Sequence, residues 1–295
     1  MTREPTILLG VGATKAGTTW LFNHLSGHAD CHLRTIKELH YFDTLENGGF
    51  RHQLKVQRTF AAKLAQRALT VTGPQALPLA QKRRDVAEWI AILAAKVENL
   101  PAYLGYLKDG CGARPVVADI TPAYALLPVD RLRRMAGMAG DVRFVYLMRD
   151  PVARLWSHVR MMAERASKSA DAVPDAAFAV LERILDGETS GATERGDYIG
   201  ALTRLRTAVD PRKLLVMFQE DMLSAPGLGR LSAFLGIRTG EADFGKRVHE
   251  GRALAMTDAQ TRRAQVLLKP QYDFVAQQFP ALPEAWRRNM DEGLQ

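Results

Sequence analysis

The stretch that decides the fold lies at the start of the chain, where residues 6–22 read TILLGVGATKAGTTWLF. Its first part, residues 6–11, is a short apolar run that predicts a buried strand. Leu21 and Leu25 follow the glycines four residues apart, so we expect a helix to begin near residues 18–19. A strand, a glycine-rich loop and a helix in this order direct backbone N–H groups and a helix N-terminus at an anion.

The loop differs in one respect from the pattern G-x-x-x-x-G-K-[ST] of nucleotide triphosphatases. Gly12 and Gly17 have the right separation and Thr19 matches the last position, but Thr18 stands where the lysine belongs. The lysine of the loop is Lys15, three residues earlier, where it is directed at a different atom of a nucleotide. The loop therefore predicts a phosphate site in which Lys15 does not contact the β- and γ-phosphates as the lysine of a kinase loop does.

The rest of the chain alternates strands with helices. Further short apolar runs predict buried strands at residues 31–34, 115–119, 143–148 and 214–218. Apolar residues three and four apart predict helices at residues 87–97 and 176–185. Such alternation implies a parallel sheet covered on both faces. The predicted fold class is therefore α/β: a three-layer, P-loop-NTPase-like fold with a central parallel sheet flanked by helices, plus helical insertions.

Residues 1–295 are expected to form a single domain, with its core at about residues 6–275 and a variable helical insertion at about 45–110. Within it, residues 45–84 carry two glycine breaks and look less regular than the core, as do residues 167–175. Both stretches read as excursions over the sheet, either lids for an acceptor or plain surface segments.

Composition is that of an ordinary globular protein, with 47% hydrophobic and 24% charged residues. The net charge of +8 suits a polyanionic ligand, an anionic membrane surface or nucleic acid, and the basic residues look spread along the chain. Aromatic residues, at 7%, do not interleave with basic clusters, which argues against nucleic acid. Two cysteines, no apolar run of ~20 residues and no signal peptide make the cytoplasm the expected location.

A second candidate anion site follows the strand predicted at residues 143–148. Arg149, Asp150 and Pro151 close that strand, and Ser157 lies eight residues after the arginine. A guanidinium at the carboxyl end of a strand suits phosphate because it offers a planar fork of donors. The alternative is that Arg149 pairs with Asp150 and Ser157 faces solvent.

With both segments in view, the sequence resembles the family of sulfotransferases that use 3′-phosphoadenosine 5′-phosphosulfate (PAPS). Residues 15–21, KAGTTWL, are similar to its 5′-phosphosulfate loop, K-[ST]-G-T-[TS]-x-L, from which Ala16 departs. Arg149 and Ser157 fit its 3′-phosphate motif, R-[DN]-P-x-x-x-x-x-S. Weaker similarities at residues 119–124, 195–198, 214–222 and 234–236 extend the resemblance over residues 6–272, with residues 45–110 matching least.

The resemblance implies PAPS as co-substrate and no metal. The nucleotide-binding residues that it implies are Lys15, Ala16, Gly17, Thr18, Thr19, Trp20, Arg149, Ser157, Tyr198, Gly251 and Arg252. Sulfuryl transfer needs a cation against the charge that grows on the bridging oxygen, and Lys15 is placed for that role.

The candidate base lies in residues 35–43, TIKELHYFD, where Glu38 and His40 are both competent. The stretch looks like the K-E-x-H-[FY]-F signature of glycan and heparan-type sulfotransferases, which implies Glu38 as base and Lys37 in contact with nucleotide and acceptor. The steroid and phenol branch uses a histidine, so His40 stays open. Thr121 and Tyr124, in the 119–124 similarity, complete the predicted substrate-binding residues.

The predicted function is transfer of a sulfuryl group from PAPS to a hydroxyl or amine of a carbohydrate, glycolipid or other small acceptor. The alternative is an ATP-dependent small-molecule kinase with a magnesium ligand at Thr19 and an acidic partner such as Asp119. The expected partner is a small-molecule, glycan or lipid-headgroup acceptor and not nucleic acid. No transmembrane segment is expected, and peripheral membrane contact stays open.

Overall fold

The structure is a computed structural model that describes residues 4–240, residue 244 and residues 254–292. Its centre is one sheet of five parallel strands in the order β2-β3-β1-β4-β5. The strands are β1 (Thr6–Gly12), β2 (Cys31–Leu33), β3 (Val116–Ile120), β4 (Val142–Met148) and β5 (Leu214–Phe218). All five lie where the apolar runs predict them, and the α/β fold class is confirmed.

The middle strand shows why these runs are so apolar. Every residue of β1 is buried, and it pairs with β3 on one side and β4 on the other. A strand in the interior of a parallel sheet has helices over both faces, so it does not alternate between apolar and polar residues.

Helices cover the sheet and extend beyond it. In the described part of the chain they are α1 (Thr18–Ser26), α2 (Tyr41–Asn47), α3 (Phe50–Ala68), α4 (Ala76–Ala94), α5 (Leu100–Lys108), α6 (Val129–Ala136), α7 (Pro151–Ala166), α8 (Val173–Leu185), α9 (Gly191–Glu194), α10 (Tyr198–Ala208), α11 (Gln219–Met222), α12 (Ala225–Leu235), α13 (Asp258–Gln278) and α14 (Glu284–Glu292). The helices predicted at residues 87–97 and 176–185 correspond to the second half of α4 and to α8. None of these helices is both long and apolar enough to cross a bilayer.

Residues 45–84 lie in the predicted helical insertion and form most of a helical hairpin, so the two glycine breaks do not make this stretch less regular than the core. The helices α3 and α4 have 19 residues each and pack against one another through buried side chains such as Leu64 and Leu79. The glycines that looked like interruptions lie at helix ends. Gly48 ends α2 at a φ of 68°, and Gly73 and Pro74 stand in the turn between the two long helices.

The carboxyl ends of the parallel strands meet at one edge of the sheet, which is where open α/β sheets bind ligands. The loop of residues 13–17 follows β1, Thr121 follows β3, Arg149 follows β4 and Gln219 follows β5. The fold therefore brings the predicted phosphate loop and the predicted arginine to the same edge.

Candidate active site

The loop of residues 13–17 connects β1 to α1, which begins at Thr18 as predicted. Gly17 caps the helix at a φ of 89°, and a Cβ there would lie 3.2 Å from Gln219 Cγ and Met222 Cε. Gly17 has no side chain to cap the helix, and the first turn of α1 contains no acidic residue. The N–H groups of that turn and the positive end of the helix dipole are therefore suited to an anion.

Lys15 lies in this loop within a cluster of positive charge. Arg149 donates a hydrogen bond from Nη1 to the carbonyl oxygen of Lys15 at 3.4 Å. Burial lowers the pKa of the Lys15 ammonium, Glu164 opposes that shift, and the charges of Arg149, Arg160 and Arg165 lower the pKa further. Cations gathered at the mouth of a parallel sheet create a positive potential that attracts an anionic ligand.

Arg149 does not pair with Asp150. The Asp150 carboxylate instead caps α7 by accepting from the N–H of Ala153 at 2.8 Å, and it accepts from the hydroxyl of Tyr272 at 2.6 Å. Burial lowers the pKa of the half-buried Arg149 guanidinium, and Glu220 nearby opposes the shift. No ion pair joins Arg149 to any residue in the described part of the chain. A partly buried cation without a carboxylate partner is costly unless a ligand supplies the negative charge.

Of the other predicted nucleotide-binding residues, Tyr198 contacts Arg149 directly, and Ser157 lies on the helix that follows Arg149. Tyr198 is buried; its hydroxyl donates to the carbonyl oxygen of Arg149 at 2.5 Å and accepts from the Arg149 N–H at 3.2 Å. It therefore holds the backbone that carries the guanidinium. Ser157 is partly exposed on α7 and lies one turn before Arg160, so the two share a face. Trp20 stacks on His24 with ring centroids 5.1 Å apart, and the predicted Gly251 and Arg252 lie outside the described residues.

The predicted base belongs to a chain of four charged side chains, Lys37, Glu38, His40 and Asp43, from the loop after β2 and the first turn of α2. Lys37 Nζ lies 3.0 Å from Glu38 Oε1, and His40 Nε2 lies 3.2 Å from Glu38 Oε2. The other ring nitrogen of His40, Nδ1, lies 2.7 Å from Asp43 Oδ2. The imidazole thus bridges two carboxylates, one of which is the candidate base.

These contacts fix opposite charges on the two candidate bases. Burial raises the pKa of Glu38, but the hydrogen bond from His40 and the charge of Lys37 outweigh it and bring the pKa down to about 2. Burial lowers the pKa of His40, but its hydrogen bonds to Asp43 and Glu38 outweigh it and raise the pKa to about 9. At neutral pH Glu38 is a carboxylate with unused lone pairs, whereas His40 is an imidazolium with no lone pair to accept a proton.

Asp119, near the end of β3, binds the side chains that hold the backbone of this charged segment in place. Its buried carboxylate accepts hydrogen bonds from Thr121 at 2.6 Å, Tyr124 at 2.7 Å and Tyr103 at 2.9 Å. Burial raises the pKa of the carboxyl group, and the three hydroxyl donors oppose that shift. The group is therefore a structural acceptor with its oxygens occupied.

The predicted substrate residues Thr121 and Tyr124 are both fully buried. The Thr121 hydroxyl accepts from the N–H of Leu39 at 3.1 Å, and the Tyr124 hydroxyl accepts from the N–H of Tyr41 at 3.0 Å. These contacts direct both hydroxyls at the backbone that carries Glu38 and His40. In this structure they position the base segment, and a contact with substrate stays a prediction.

The sequence-based prediction of the site did not include Asp43. It named Asp119 only as the acidic partner of a kinase and did not foresee its positioning role. The contact of Asp43 with His40 could have been predicted, since Asp43 lies three residues after His40 in the first turn of α2. The role of Asp119 could not have been predicted, because one of its donors, Tyr103, comes from residues 45–110, which resemble the family least.

Replacing Asp119 with asparagine is expected to lower the free energy of unfolding by about 2 kcal/mol, because buried hydroxyl donors lose a charged acceptor. Amide exchange in residues 35–43 should accelerate in the same variant. Tyr103→Phe is the matched control, since it removes one donor that does not reach residues 39–41. Urea unfolding and hydrogen exchange measure both effects; undiminished protection of residues 35–43 in Asp119→Asn would contradict the positioning role.

A family model described as "Sulfotransferase family" matches residues 7–240. The chain belongs to the sulfotransferase family. No curated protein matches the sequence.

Solved structures of sulfotransferases share the fold. The sulfotransferase from Alicyclobacillus acidocaldarius superposes with a TM-score of 0.61 at 19% identity, over 97% of this chain and 99% of that one. The sulfotransferase domain of the Synechococcus PCC 7002 olefin synthase gives 0.51 at 18%, over 92% and 95%. The sulfotransferase domain from the curacin biosynthetic pathway gives 0.50 at 19%, over 82% and 80%.

Membership of the sulfotransferase family disfavours the kinase alternative, and the site agrees. The oxygens of Asp119, the acidic partner that a kinase would use, are occupied by the three hydroxyls described above.

Proposed function

We propose that this sulfotransferase uses PAPS as donor and transfers its sulfuryl group to a hydroxyl or amine of a carbohydrate, glycolipid or other small acceptor. One observation carries the proposal. Lys15 and Arg149 follow two different strands, lie together, and form no ion pair within the described residues. A nucleotide with anionic groups at both its 5′ and 3′ ends supplies the negative charge that two such cations require.

The polar groups around the two cations fit that donor. The hydroxyls of Thr18 and Thr19 and the amides at the start of α1 can donate to the 5′ end, and Ser157 can donate near Arg149. The hydroxyl of Thr14 is buried in the loop and has no hydrogen-bond partner among the described residues. A site that presents donors and cations with few free acceptors is matched to phosphate and sulfate oxygens. When bound, PAPS supplies an activated sulfuryl group.

The residues of this chain then stabilise the leaving group and accept the proton of the acceptor. The Lys15 ammonium stabilises the negative charge that develops on the oxygen of the departing nucleotide. The Glu38 carboxylate accepts the proton of the acceptor hydroxyl or amine. His40 and Lys37 hold Glu38 ionised and in place, and Asp43 holds His40. In this arrangement His40 is a positioning group, because both of its nitrogens are engaged.

The donor class is tested by calorimetric titration of the purified protein with adenosine 3′,5′-bisphosphate, ADP and magnesium-ATP. We expect micromolar affinity for the bisphosphate and much weaker binding of the other two, since only the bisphosphate has a 3′-phosphate for Arg149. A preference for magnesium-ATP would restore the kinase alternative in place of this proposal.

Arg149→Ala is expected to weaken binding of the bisphosphate by about 100-fold, which corresponds to the loss of one or two charge-assisted hydrogen bonds. Its affinity for ADP should change little, because ADP lacks the group that the guanidinium contacts. Arg212→Ala is the matched control, since that arginine is exposed and paired only with Asp210. Equal affinity of Arg149→Ala and the parent protein for the bisphosphate would show that the second anion site is misassigned.

A further inference from the structure

The excess positive charge of this protein is not spread along the chain. Of its 40 basic and 32 acidic side chains, residues 47–84 contain eight basic and no acidic ones, so the rest of the chain is balanced at 32 of each. The entire formal charge of +8 therefore belongs to one segment. Its basic residues are Arg51, Lys55, Arg58, Lys63, Arg67, Lys82, Arg83 and Arg84. The prediction that the basic residues are spread along the chain therefore does not hold for the excess charge.

This segment is the helical hairpin, and we call α3, the turn and α4 as far as Arg84 the basic hairpin. Seven of the eight basic side chains are exposed, and the eighth, Lys82, lies 5.3 Å from the centroid of the Phe60 ring. None of the eight forms an ion pair with a residue that the structure describes. Some exposed cations elsewhere differ in this respect: Arg133 and Arg212 each pair with an aspartate.

The tip of the basic hairpin is apolar. Leu69, after α3, is 77% exposed, and Leu77, in the first turn of α4, is 81% exposed. No other large hydrophobic side chain in the described part of the chain is as exposed as these two. They flank the turn that contains Gly73 and Pro74. Two leucines exposed to water at the end of the hairpin lose the hydrophobic stabilisation that a covering surface would provide.

Exposed leucines at a tip and unpaired cations along the adjoining helices fit the surface of an anionic bilayer. There the leucines enter the boundary of the acyl chains while the Lys and Arg side chains meet phosphate headgroups. A nucleic acid or an acidic polysaccharide would use the cations and leave the leucines in water. We propose that the basic hairpin docks the protein peripherally on membranes that contain anionic phospholipid. This inference concerns a surface outside the candidate active site and does not depend on the donor or the acceptor.

The test is co-sedimentation of the full chain with vesicles of phosphatidylcholine alone and of phosphatidylcholine mixed equally with phosphatidylglycerol. Binding is expected to the mixed vesicles only and to weaken at high salt. Lys63→Gln/Arg67→Gln/Arg83→Gln should lower the partition coefficient by about 100-fold, since each cation near the surface contributes several-fold. Leu69→Ser/Leu77→Ser should lower it by about 10-fold through loss of the inserted tip.

Matched control variants replace exposed basic and apolar side chains outside the basic hairpin. Arg133→Gln/Arg212→Gln/Arg262→Gln removes three exposed cations, and Val266→Ser removes an exposed apolar side chain on α13. Both should bind as the parent does, and the unfolding midpoint of every variant should be unchanged. Equal loss in hairpin and control variants would overturn the proposal. Retention on immobilised heparin without vesicle binding would also overturn it, in favour of a polysaccharide site. Titration with the bisphosphate reports the active site separately, so the two proposals can fail independently.

Discussion

Lys15→Ala is expected to lower kcat by about 10³-fold while the protein stays folded and still binds adenosine 3′,5′-bisphosphate. The reason is that the ammonium of Lys15 is the loop cation nearest the expected position of the leaving oxygen, where charge appears only as the sulfur–oxygen bond breaks. A group that acts chiefly in the transition state changes kcat more than nucleotide affinity. Release of the bisphosphate in the presence of an acceptor found by screening measures the effect.

The control for Lys15→Ala is Lys269→Ala, which removes an exposed lysine from α13 that pairs only with Asp273. It should leave kcat and nucleotide affinity unchanged. Lys15→Arg adds a second comparison, because it keeps the charge but not the size of the ammonium. Full activity of Lys15→Ala would remove the proposed role of the loop lysine, whatever the nucleotide proves to be.

The sheet could be predicted from the sequence because of where its strands lie. Strands such as β1 and β4 are covered on both faces, so they appear as almost unbroken apolar runs, with Arg143 near the start of β4 as the charged exception. The position of Lys15 and Arg149 at one edge then follows from the parallel arrangement alone. Lys15 and Arg149 also belong to local motifs, in which a few neighbouring residues determine the backbone conformation.

The sequence predicted a helical insertion at about residues 45–110, but it did not give the bounds of the two helices of the basic hairpin within it. The buried side of α3 is marked by few large side chains, Leu54 and Leu64 among them, and many of its other positions are alanine, lysine or arginine. Such a helix is stabilised by its partner α4 and by good helix propensity more than by a wide apolar face. Glycines at the ends of helices also look like breaks when the helix between them is not recognised.

The positioning network of the site was hidden for a different reason. Thr121 and the N–H of Leu39 are 82 residues apart in the chain, and Tyr103 reaches Asp119 from α5. Side-chain direction at such contacts is determined by packing between elements, which no local pattern records. The sequence singled out Thr121 and Tyr124 as substrate-binding residues but could not say which way their hydroxyls point, and their contact with a substrate stays a prediction.

The chain Lys37–Glu38–His40–Asp43 makes the charge state of the site depend on pH in two directions. The pKa of Glu38 falls from 4.5 to about 2, so its stabilising contacts are complete above pH 4.5 and are lost as the pH falls through about 2. The pKa of His40 rises from 6.5 to about 9, so its contacts are complete below pH 6.5 and are lost as the pH rises through about 9. The network is therefore complete between pH 4.5 and 6.5 and weakens towards alkaline pH.

Glu38→Gln is expected to lower kcat by about 10²–10⁴-fold, because the amide cannot accept the proton of the acceptor. Nucleotide affinity should be unchanged, since Glu38 belongs to a different segment from the loop and from Arg149. The pKa of His40, followed by NMR, should fall from about 9 towards its ordinary value as one of its two carboxylate partners is removed.

The variant His40→Asn separates the two candidate bases. If Glu38 accepts the proton, His40→Asn should retain more activity than Glu38→Gln, because it disturbs only the position and charge environment of the carboxylate. Asp43→Asn should resemble His40→Asn and lower the pKa of His40 without removing Glu38. The opposite ranking, with Glu38→Gln nearly fully active and His40→Asn inactive, would transfer the base to His40. That outcome would require His40 to lose its proton before it accepts one from the acceptor, so activity would rise with pH as the imidazolium deprotonates.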